Sequence, residues 1–225
     1  MFNGCSYTAG TELEGIDRNF EFLKEHRYSH IISKKTNKTY INISKPASSN
    51  DRIVRETINW FETGNTCDLA IIQFSHITRY EWVADDGSYV MFLPKEDKYT
   101  KLNNAFARSM YYKSIYNTNF GINLFYKNLF LLEQYFKSKN INHHFIKLDY
   151  REDSYDNSKS MWKTFCTHHF DKIDSIIGSI IPPKKDSLFF YCQPYPNLGL
   201  RGSHPNALGH LKIADYLIEK INYLY

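Results

Sequence analysis

The 225-residue chain carries 28 Lys and Arg against 24 Asp and Glu, for a formal charge of +4, and 42% of its residues are hydrophobic. These values suit one folded domain with a sizeable core and argue against a disordered chain. Because the basic surplus is scattered rather than gathered in a block, we expect no nucleic-acid partner. No apolar run is long enough for a membrane span and the N-terminus lacks a secretory signal, so we expect no membrane partner and a cytoplasmic location.

The cysteines Cys5, Cys67, Cys166 and Cys192 stand far apart without CxxC spacing. That pattern is typical of reduced thiols rather than of a disulfide framework or a zinc site. We therefore expect no metal and no other cofactor. The sequence leaves the oligomeric state open.

Short β-rich apolar runs alternate with longer segments of helical periodicity. The predicted strands are Thr39–Ser44, Asp68–Phe74, His144–Leu148 and Ser187–Cys192. The predicted helices are Phe20–Lys34, Asp51–Glu62 (capped by Ser49 or Asn50), Gly121–Ser138, Ser158–Ile176 and Ala207–Leu224. This alternation predicts an α/β fold, a three-layer α/β/α sandwich around a mainly parallel central sheet.

A polar, Tyr-rich stretch at about 79–116 interrupts this alternation directly after the Asp68–Phe74 strand. We interpret it as an inserted loop or helical region within a single domain spanning 1–225, and as a candidate lid or substrate wall. Only Met1, Phe2 and Asn3 precede the first motif. We therefore expect either a very short first strand or a natural chain that starts further upstream.

Two motifs at opposite ends of the chain carry chemistry. Gly4 to Gly10 reads GCSYTAG, and Gly202 to His210 reads GSHPNALGH. A serine among small residues at a strand-to-helix turn exposes its hydroxyl and nearby backbone N–H groups. In a doubly wound sheet the last βα loop lies beside the first, so Ser6 and His204 are expected to meet.

These blocks, GxSxTxG early and HPNxxGH late, resemble the first and last sequence blocks of the SGNH (GDSL-like) hydrolase superfamily of esterases, lipases, carbohydrate deacetylases and acyl transferases. The resemblance implies a flavodoxin-like sandwich. It also implies Ser6 as nucleophile, with its own N–H in the oxyanion hole, and His204 as general base.

The middle of the chain departs from the family pattern. Where the family has a glycine whose N–H joins the oxyanion hole, this chain has Ala47-Ser48-Ser49-Asn50, and Ser48 or Ser49 is expected to donate the same N–H. The family's GxND block is replaced by Ser75-His76-Ile77-Thr78, so Ile77 stands where the family has an oxyanion Asn. Asn50 is our candidate substitute in space.

The family places the acid of its triad three residues before the histidine, where this chain has Arg201. The alternatives are a Ser6–His204 dyad steadied by a backbone carbonyl, or a carboxylate from elsewhere, such as Glu81 or Asp51. Cys5 replaces the Asp that precedes the family nucleophile. A Cys5 nucleophile is the minor alternative, because its side chain is expected to point away from that of Ser6.

Other polar residues are candidates either for substrate binding or for a structural role. His76 follows a strand at the ligand-binding edge and is a candidate substrate contact, the alternative being a loop histidine bonded to its own backbone. The residues from Arg79 to Trp82 fit either a binding wall or an amphipathic helix. We interpret His210 as a structural, partly buried histidine, and Tyr111, Tyr112, Tyr116 and Phe120 as packing residues.

The sequence thus predicts a serine-dependent esterase or deacylase that acts on a small-molecule or glycan ester, with an acetylated carbohydrate preferred over a long lipid chain. Two alternatives stay open: an O-acyltransferase using the same residues, and a non-catalytic binding module that keeps the fold.

Overall fold

A parallel sheet forms the centre of the computed structural model, which describes residues 1–11, 13, 19–94, 102–147, 180–181 and 204–222. In chain order the strands are β1 (Phe2–Asn3), β2 (Ala70–Phe74), β3 (Tyr80–Val83), β4 (Tyr89–Phe92), β5 (His143–Lys147) and β6 (Ile180–Ile181). The sheet order is β1-β2-β5-β6 with every pair parallel, whereas β3 and β4 form a separate antiparallel hairpin.

Residues 41–45 extend the sheet along the other edge of β1. The Phe2 N–H donates to the Ile41 carbonyl at 2.8 Å and the Phe2 carbonyl accepts from the Ile43 N–H at 2.9 Å, whereas the Met1 carbonyl accepts from the Ile71 N–H of β2. The order is therefore 41–45, β1, β2, β5, β6, which is the flavodoxin-like arrangement. The winding direction reverses between β1 and β2, and open α/β sheets bind ligands where the carboxyl ends of two such strands part.

Helices cover both faces of the sheet. They are α1 (Ser6–Ala9), α2 (Phe20–His26), α3 (Tyr28–Thr36), α4 (Asn50–Glu62), α5 (Leu102–Met110), α6 (Thr118–Lys139) and α7 (Ala207–Asn222), with a π-helical segment at Tyr111–Ile115. Along β2, Ile72 and Phe74 join the core under α4 and α6, and Ile71 joins the core under α3 and α7. This period of two is the pattern of a strand covered on both faces, and it confirms the three-layer α/β/α sandwich.

Most predicted elements within the described residues are confirmed to within a few residues. The single helix predicted over Phe20–Lys34 is wrong, since the chain becomes extended at Arg27 (φ −72°, ψ 142°), which ends α2 and begins α3. The break turns the fully buried Tyr28 into the core. The strand predicted at Thr39–Ser44 is reduced to a bridge between Asn42 and Phe2.

Two predicted elements, the Ser158–Ile176 helix and the Ser187–Cys192 strand, lie outside the described residues, as does Arg201.

Helix α4 begins with Ser49 as its N-cap, whose Oγ accepts the Arg52 N–H at 3.2 Å. Helix α7 begins after Asn206, whose Oδ1 accepts the Gly209 N–H at 3.0 Å.

The insertion after β2 contains the β3–β4 hairpin as well as helix α5, so it is more ordered than a loop. The amphipathic helix considered for residues 79–82 is wrong, because Tyr80–Val83 forms strand β3. Tyr111 stacks on Tyr80, with ring centroids 4.5 Å apart, and also contacts Tyr112, Tyr116 and Phe120, which confirms their packing role.

The insertion is tied to the segment that follows β2. The Tyr112 hydroxyl hydrogen-bonds the carbonyl oxygens of Thr78 (2.7 Å) and Phe92 (3.0 Å).

No helix in the described part of the chain is long and apolar enough to cross a membrane.

Candidate active site

Ser6 lies at the point where β1 turns into helix α1, with only 4% of its surface exposed. Gly4 makes this turn possible, because a Cβ there would lie 2.4 Å from Thr8 Oγ1 and 2.9 Å from Gln73 Cβ. Gly10 ends α1 in the left-handed conformation (φ 81°), which favours glycine. The two glycines of GxSxTxG therefore have separate backbone roles around the serine.

Asn3 anchors the strand that delivers Ser6. Its Nδ2 donates to the Ile53 carbonyl (3.0 Å) and to Thr57 Oγ1 (2.9 Å), both on α4, while its Oδ1 accepts the Gly4 N–H at 2.8 Å. All of these groups are buried, so each bond satisfies a polar atom that water cannot reach. These bonds fix the two-residue strand to helix α4.

A buried polar network lies behind the serine turn, centred on Gln73 of β2. Thr8 Oγ1 donates to Gln73 Oε1 at 2.7 Å, and Gln73 Nε2 donates to Cys5 Sγ at 3.2 Å. Because the single Thr8 proton is used in this way, the Tyr28 hydroxyl 2.7 Å away donates to Thr8 Oγ1. Thr8 thus makes the local bond expected of it, and sequence reasoning missed Gln73, since a glutamine inside an apolar strand carries no motif.

The Ser6 hydroxyl contacts Cys5 Sγ at 3.8 Å. Sulfur is a weak acceptor, so this contact costs little to exchange for another partner. Cys5 is fully buried, and its sulfur still contacts the Ser6 hydroxyl. The prediction that the two side chains point away from each other is therefore not met at this contact. Burial raises the pKa of the Cys5 thiol, but the Arg79 charge and hydrogen bonds from the Tyr7 backbone, Gln73 and Ser6 outweigh burial and bring the pKa below its usual value.

His204 lies beside the serine turn. Its imidazole ring is 5.6 Å from the ring of Tyr7, centroid to centroid, and Tyr7 directly follows Ser6. The fold therefore brings the late HPN segment to the early GxSxTxG turn, across about 200 residues of sequence. The exchange of a proton between Ser6 and His204 stays a prediction.

His210 has the structural role predicted for it, in a fully buried position. Its Nδ1 accepts the Tyr28 N–H at 3.2 Å, which leaves the ring proton on Nε2, and the ring stacks on that of Tyr28. Burial, aided by the charges of His204, Arg27 and His26, lowers the pKa of His210 to about 3. The ring is therefore neutral at physiological pH.

Acidification is expected to destabilise the fold through His210. Between its ordinary pKa of 6.5 and about 3 the unfolded chain binds a proton that the folded chain does not, so stability falls as pH falls through this window. The contribution lost between pH 7 and pH 5 is about 2 kcal/mol. Urea unfolding at both pH values, compared with His210→Asn, measures it. The variant keeps an acceptor for the Tyr28 N–H and is expected to lose this part of the pH dependence; an unchanged dependence would contradict the assignment.

The segment predicted to replace the family's oxyanion glycine lies at the start of α4. The Ser48 N–H donates to the Lys45 carbonyl at 3.3 Å, whereas within the described residues the Ser49 N–H has no acceptor. Asn50 Oδ1 accepts the Ser75 N–H at 2.7 Å, and its Nδ2 donates to the Ser75 carbonyl at 3.2 Å. Of the two serines, Ser49 is the better placed donor, and Asn50 has one Nδ2 hydrogen left after binding Ser75.

The segment after β2 forms a turn in which the Arg79 N–H donates to the His76 carbonyl at 3.2 Å. His76 is half-buried in this turn, at the carboxyl edge of the sheet, and its contact with substrate stays a prediction. Ile77 belongs to the core under α4 and α6. The residue at the family's Asn position is thus a packing residue here.

Both carboxylates considered as third members of a triad have other partners. Glu81 accepts from Arg55 through both oxygens at 2.9 Å, and Asp51 accepts from Asn128 Nδ2 of α6 at 3.0 Å. Both lie with α4 and α6, on the sheet face opposite to Tyr7 and α7. Neither orients His204. Among the described residues, the Ser6–His204 dyad therefore remains an alternative.

No group of three or more His, Cys, Asp or Glu side chains in the described part of the chain is arranged to hold a metal ion. Ser6, His204, the Ser48–Asn50 segment and the turn at His76 all lie at the carboxyl edge of β1 and β2. This arrangement places the predicted nucleophile, the predicted base and backbone donors around the crevice between these strand ends.

Comparison with solved structures shows which folds this arrangement matches. The chain superposes on a protein assigned to the G-D-S-L family of lipolytic proteins from Desulfitobacterium hafniense DCB-2, with a TM-score of 0.50 over 97% of this chain and 96% of that one, at 10% identity. It also superposes on the psychrotrophic esterase EstA from Pseudoalteromonas sp., in a structure inhibited by monoethylphosphonate, with a TM-score of 0.50 over 98% of each chain, at 11% identity. This chain has the GDSL-type hydrolase fold. The predicted SGNH resemblance is therefore confirmed in fold.

No family model matches the sequence. No curated protein matches it either. The similarity lies in the arrangement of strands and helices rather than in the residues.

Proposed function

We propose that this protein is a serine-dependent esterase or deacylase. The observation that carries the proposal is the position of Ser6, held by a glycine turn at the carboxyl end of β1 in the crevice beside β2, with His204 next to it through Tyr7. The fold is shared with lipolytic proteins and an esterase. Open sheets of this order bind ligands at that crevice, so the serine lies where a substrate is expected.

The mechanism follows from these groups. His204 takes the Ser6 hydroxyl proton while Oγ attacks the carbonyl carbon of an ester, and the carbonyl electron pair moves to oxygen. The N–H groups of Ser6 and Ser49 donate to this oxyanion. His204 then protonates the leaving alcohol, and a water molecule releases the acid from the acyl-enzyme.

The substrate we favour is a small acyl group on a carbohydrate or another polar scaffold. The β3–β4 hairpin presents an aromatic ring at its surface, since Trp82 stacks on Phe92 at 6.0 Å while 39% exposed. Such rings suit the faces of sugars, whereas a lipid chain needs a continuous aliphatic lining.

The second candidate is a non-catalytic binding module with the same fold. It is favoured by one observation, the use of Ile77 as a core residue where the family has an oxyanion amide. Such a module binds its ligand equally well after Ser6→Ala and does not activate the serine.

A phosphonate probe separates the two. The purified full chain is treated with a fluorophosphonate, and the modified peptide is mapped by mass spectrometry beside Ser6→Ala and Ser29→Ala. Ser29 is also buried, but it lies on α3, where its Oγ accepts from Asn42 Nδ2 at 3.0 Å. We expect rapid labelling at Ser6 that is lost only in Ser6→Ala. Absence of labelling at Ser6, where a known serine esterase reacts, would support the binding module.

A further inference from the structure

Arg79 spans the carboxyl end of β1. Its Nη1 donates to Ser75 Oγ at 2.8 Å and to the Ser48 carbonyl at 3.3 Å. Ser75 directly follows β2, which pairs with one edge of β1, and Ser48 follows residues 41–45, which pair with the other edge. A guanidinium that binds both segments therefore crosses the end of the strand between them.

The register places this crossing beside the turn that carries Ser6. Asn3, the last residue of β1, pairs with Ile72, and Ser75 directly follows the end of β2, so the segment after β2 begins beside the turn that carries Ser6. On the other edge the Lys45 N–H donates to the Gly4 carbonyl, and Ser48 is three residues further on. The segments that carry Ser75 and Ser48 therefore both leave the sheet beside the turn that carries Ser6, and Arg79 joins them there.

The charge of Arg79 has no carboxylate partner among the described residues. The nearby Glu81 and Glu56 are both paired with Arg55. A guanidinium has five N–H donors, and within the described part of the chain only Nη1 of Arg79 makes hydrogen bonds, so Nε and Nη2 keep theirs. The same charge lowers the pKa of the Cys5 thiol, so its field reaches the residue next to Ser6.

We propose that Arg79 is a catalytic residue that donates a hydrogen bond to the acyl oxygen as the carbonyl becomes an oxyanion. This inference rests on the proposed esterase function and supplies the donor that Ile77 lacks. The Ser6 Oγ–carbon bond forms, the carbonyl electron pair moves to oxygen, and the Oγ proton goes to His204. Arg79 keeps its own protons throughout and contributes a charged donor, which binds an oxyanion more strongly than an amide does.

Kinetics of Arg79→Gln, Arg79→Lys and Arg52→Gln on a chromogenic acetyl ester test the proposal. Arg52 is a matched control, because its Nη1 also binds Ser48, through Oγ at 3.0 Å and from helix α4. We expect Arg79→Gln to lower kcat by about 10²- to 10³-fold with KM changed less than threefold, Arg79→Lys to recover part of the loss, and Arg52→Gln to stay within about threefold of the parent. A kcat for Arg79→Gln within threefold of the parent, or an equal loss in Arg52→Gln, would overturn the proposal.

A binding measurement decides the inference even if the esterase proposal fails. Titration calorimetry with orthovanadate, a tetrahedral oxyanion, is expected to show binding to the parent chain and to Arg52→Gln that Arg79→Gln lacks. If Ser6 is not labelled but vanadate binding depends on Arg79, the esterase proposal falls and the oxyanion site stands. If vanadate binds the parent and Arg79→Gln equally, or binds neither, the assignment of Arg79 is wrong.

Discussion

Replacement of His204 by Ala is expected to reduce the rate of Ser6 acylation by about 10⁴-fold or more, because nucleophile and base act as a unit. A serine hydroxyl is a weak nucleophile unless a base removes its proton as the bond to carbon forms. His204 lies beside Tyr7, next in sequence to Ser6, on the same sheet face as the serine turn. The measurement is the rate of fluorophosphonate labelling at Ser6, followed by mass spectrometry.

His76→Ala is the comparison for that experiment. His76 is a second histidine at the carboxyl edge of the sheet, and its expected role is to contact substrate. Its loss should therefore raise KM for an ester far more than it slows labelling by a small probe. If His76→Ala abolishes labelling and His204→Ala does not, the base has been misassigned. If neither variant slows labelling, neither of these two histidines activates the serine.

Replacement of Gly4 by Ala is expected to lower the free energy of unfolding by about 3 kcal/mol and to abolish labelling at Ser6. The new Cβ would lie 2.4 Å from Thr8 Oγ1 and 2.9 Å from Gln73 Cβ, and both neighbours are held by hydrogen bonds in the core. Relief of the clash has to move either the serine turn or β2. Urea unfolding and probe labelling of the same preparation measure the two effects.

Gly87→Ala is the control for this substitution. Gly87 has φ of 77° and nothing within 4 Å of the position of a Cβ, so the variant carries backbone strain without a clash. A loss of about 1 kcal/mol and full labelling at Ser6 are expected. Equal losses in the two variants would mean that the Gly4 contacts do not determine the geometry of the turn.

The residues around Ser6 show how far pattern alone reaches. GxSxTxG predicted a serine at a strand-to-helix turn, and the turn is there, because Gly4 leaves room for Thr8 and Gln73 and Gly10 adopts a positive φ that other residues resist. The pattern did not reveal that Cys5 Sγ still contacts the Ser6 hydroxyl. That contact depends on Gln73, which lies about 70 residues away in sequence and holds the sulfur in place.

The sequence by itself determined the fold class, the strands β2 and β5, the helices α4, α6 and α7, and the pairing of the first and last motifs. These features follow from hydrophobic periodicity and local turn chemistry, which are properties of neighbouring residues. The helix break at Arg27 could not be predicted from the sequence. The stabilisation that favours it comes from burying Tyr28 against Thr8 and His210, which are distant from Tyr28 in the chain.

Only the tertiary structure decided which polar groups meet at the crevice. It placed Ile77 in the core, gave Asp51 and Glu81 partners on the opposite sheet face, and brought Arg79 across the end of β1. Whether a donor can reach an oxyanion depends on where its segment leaves the sheet, along which edge and at which register position. That position is fixed by strand order and register, which no stretch of sequence contains alone.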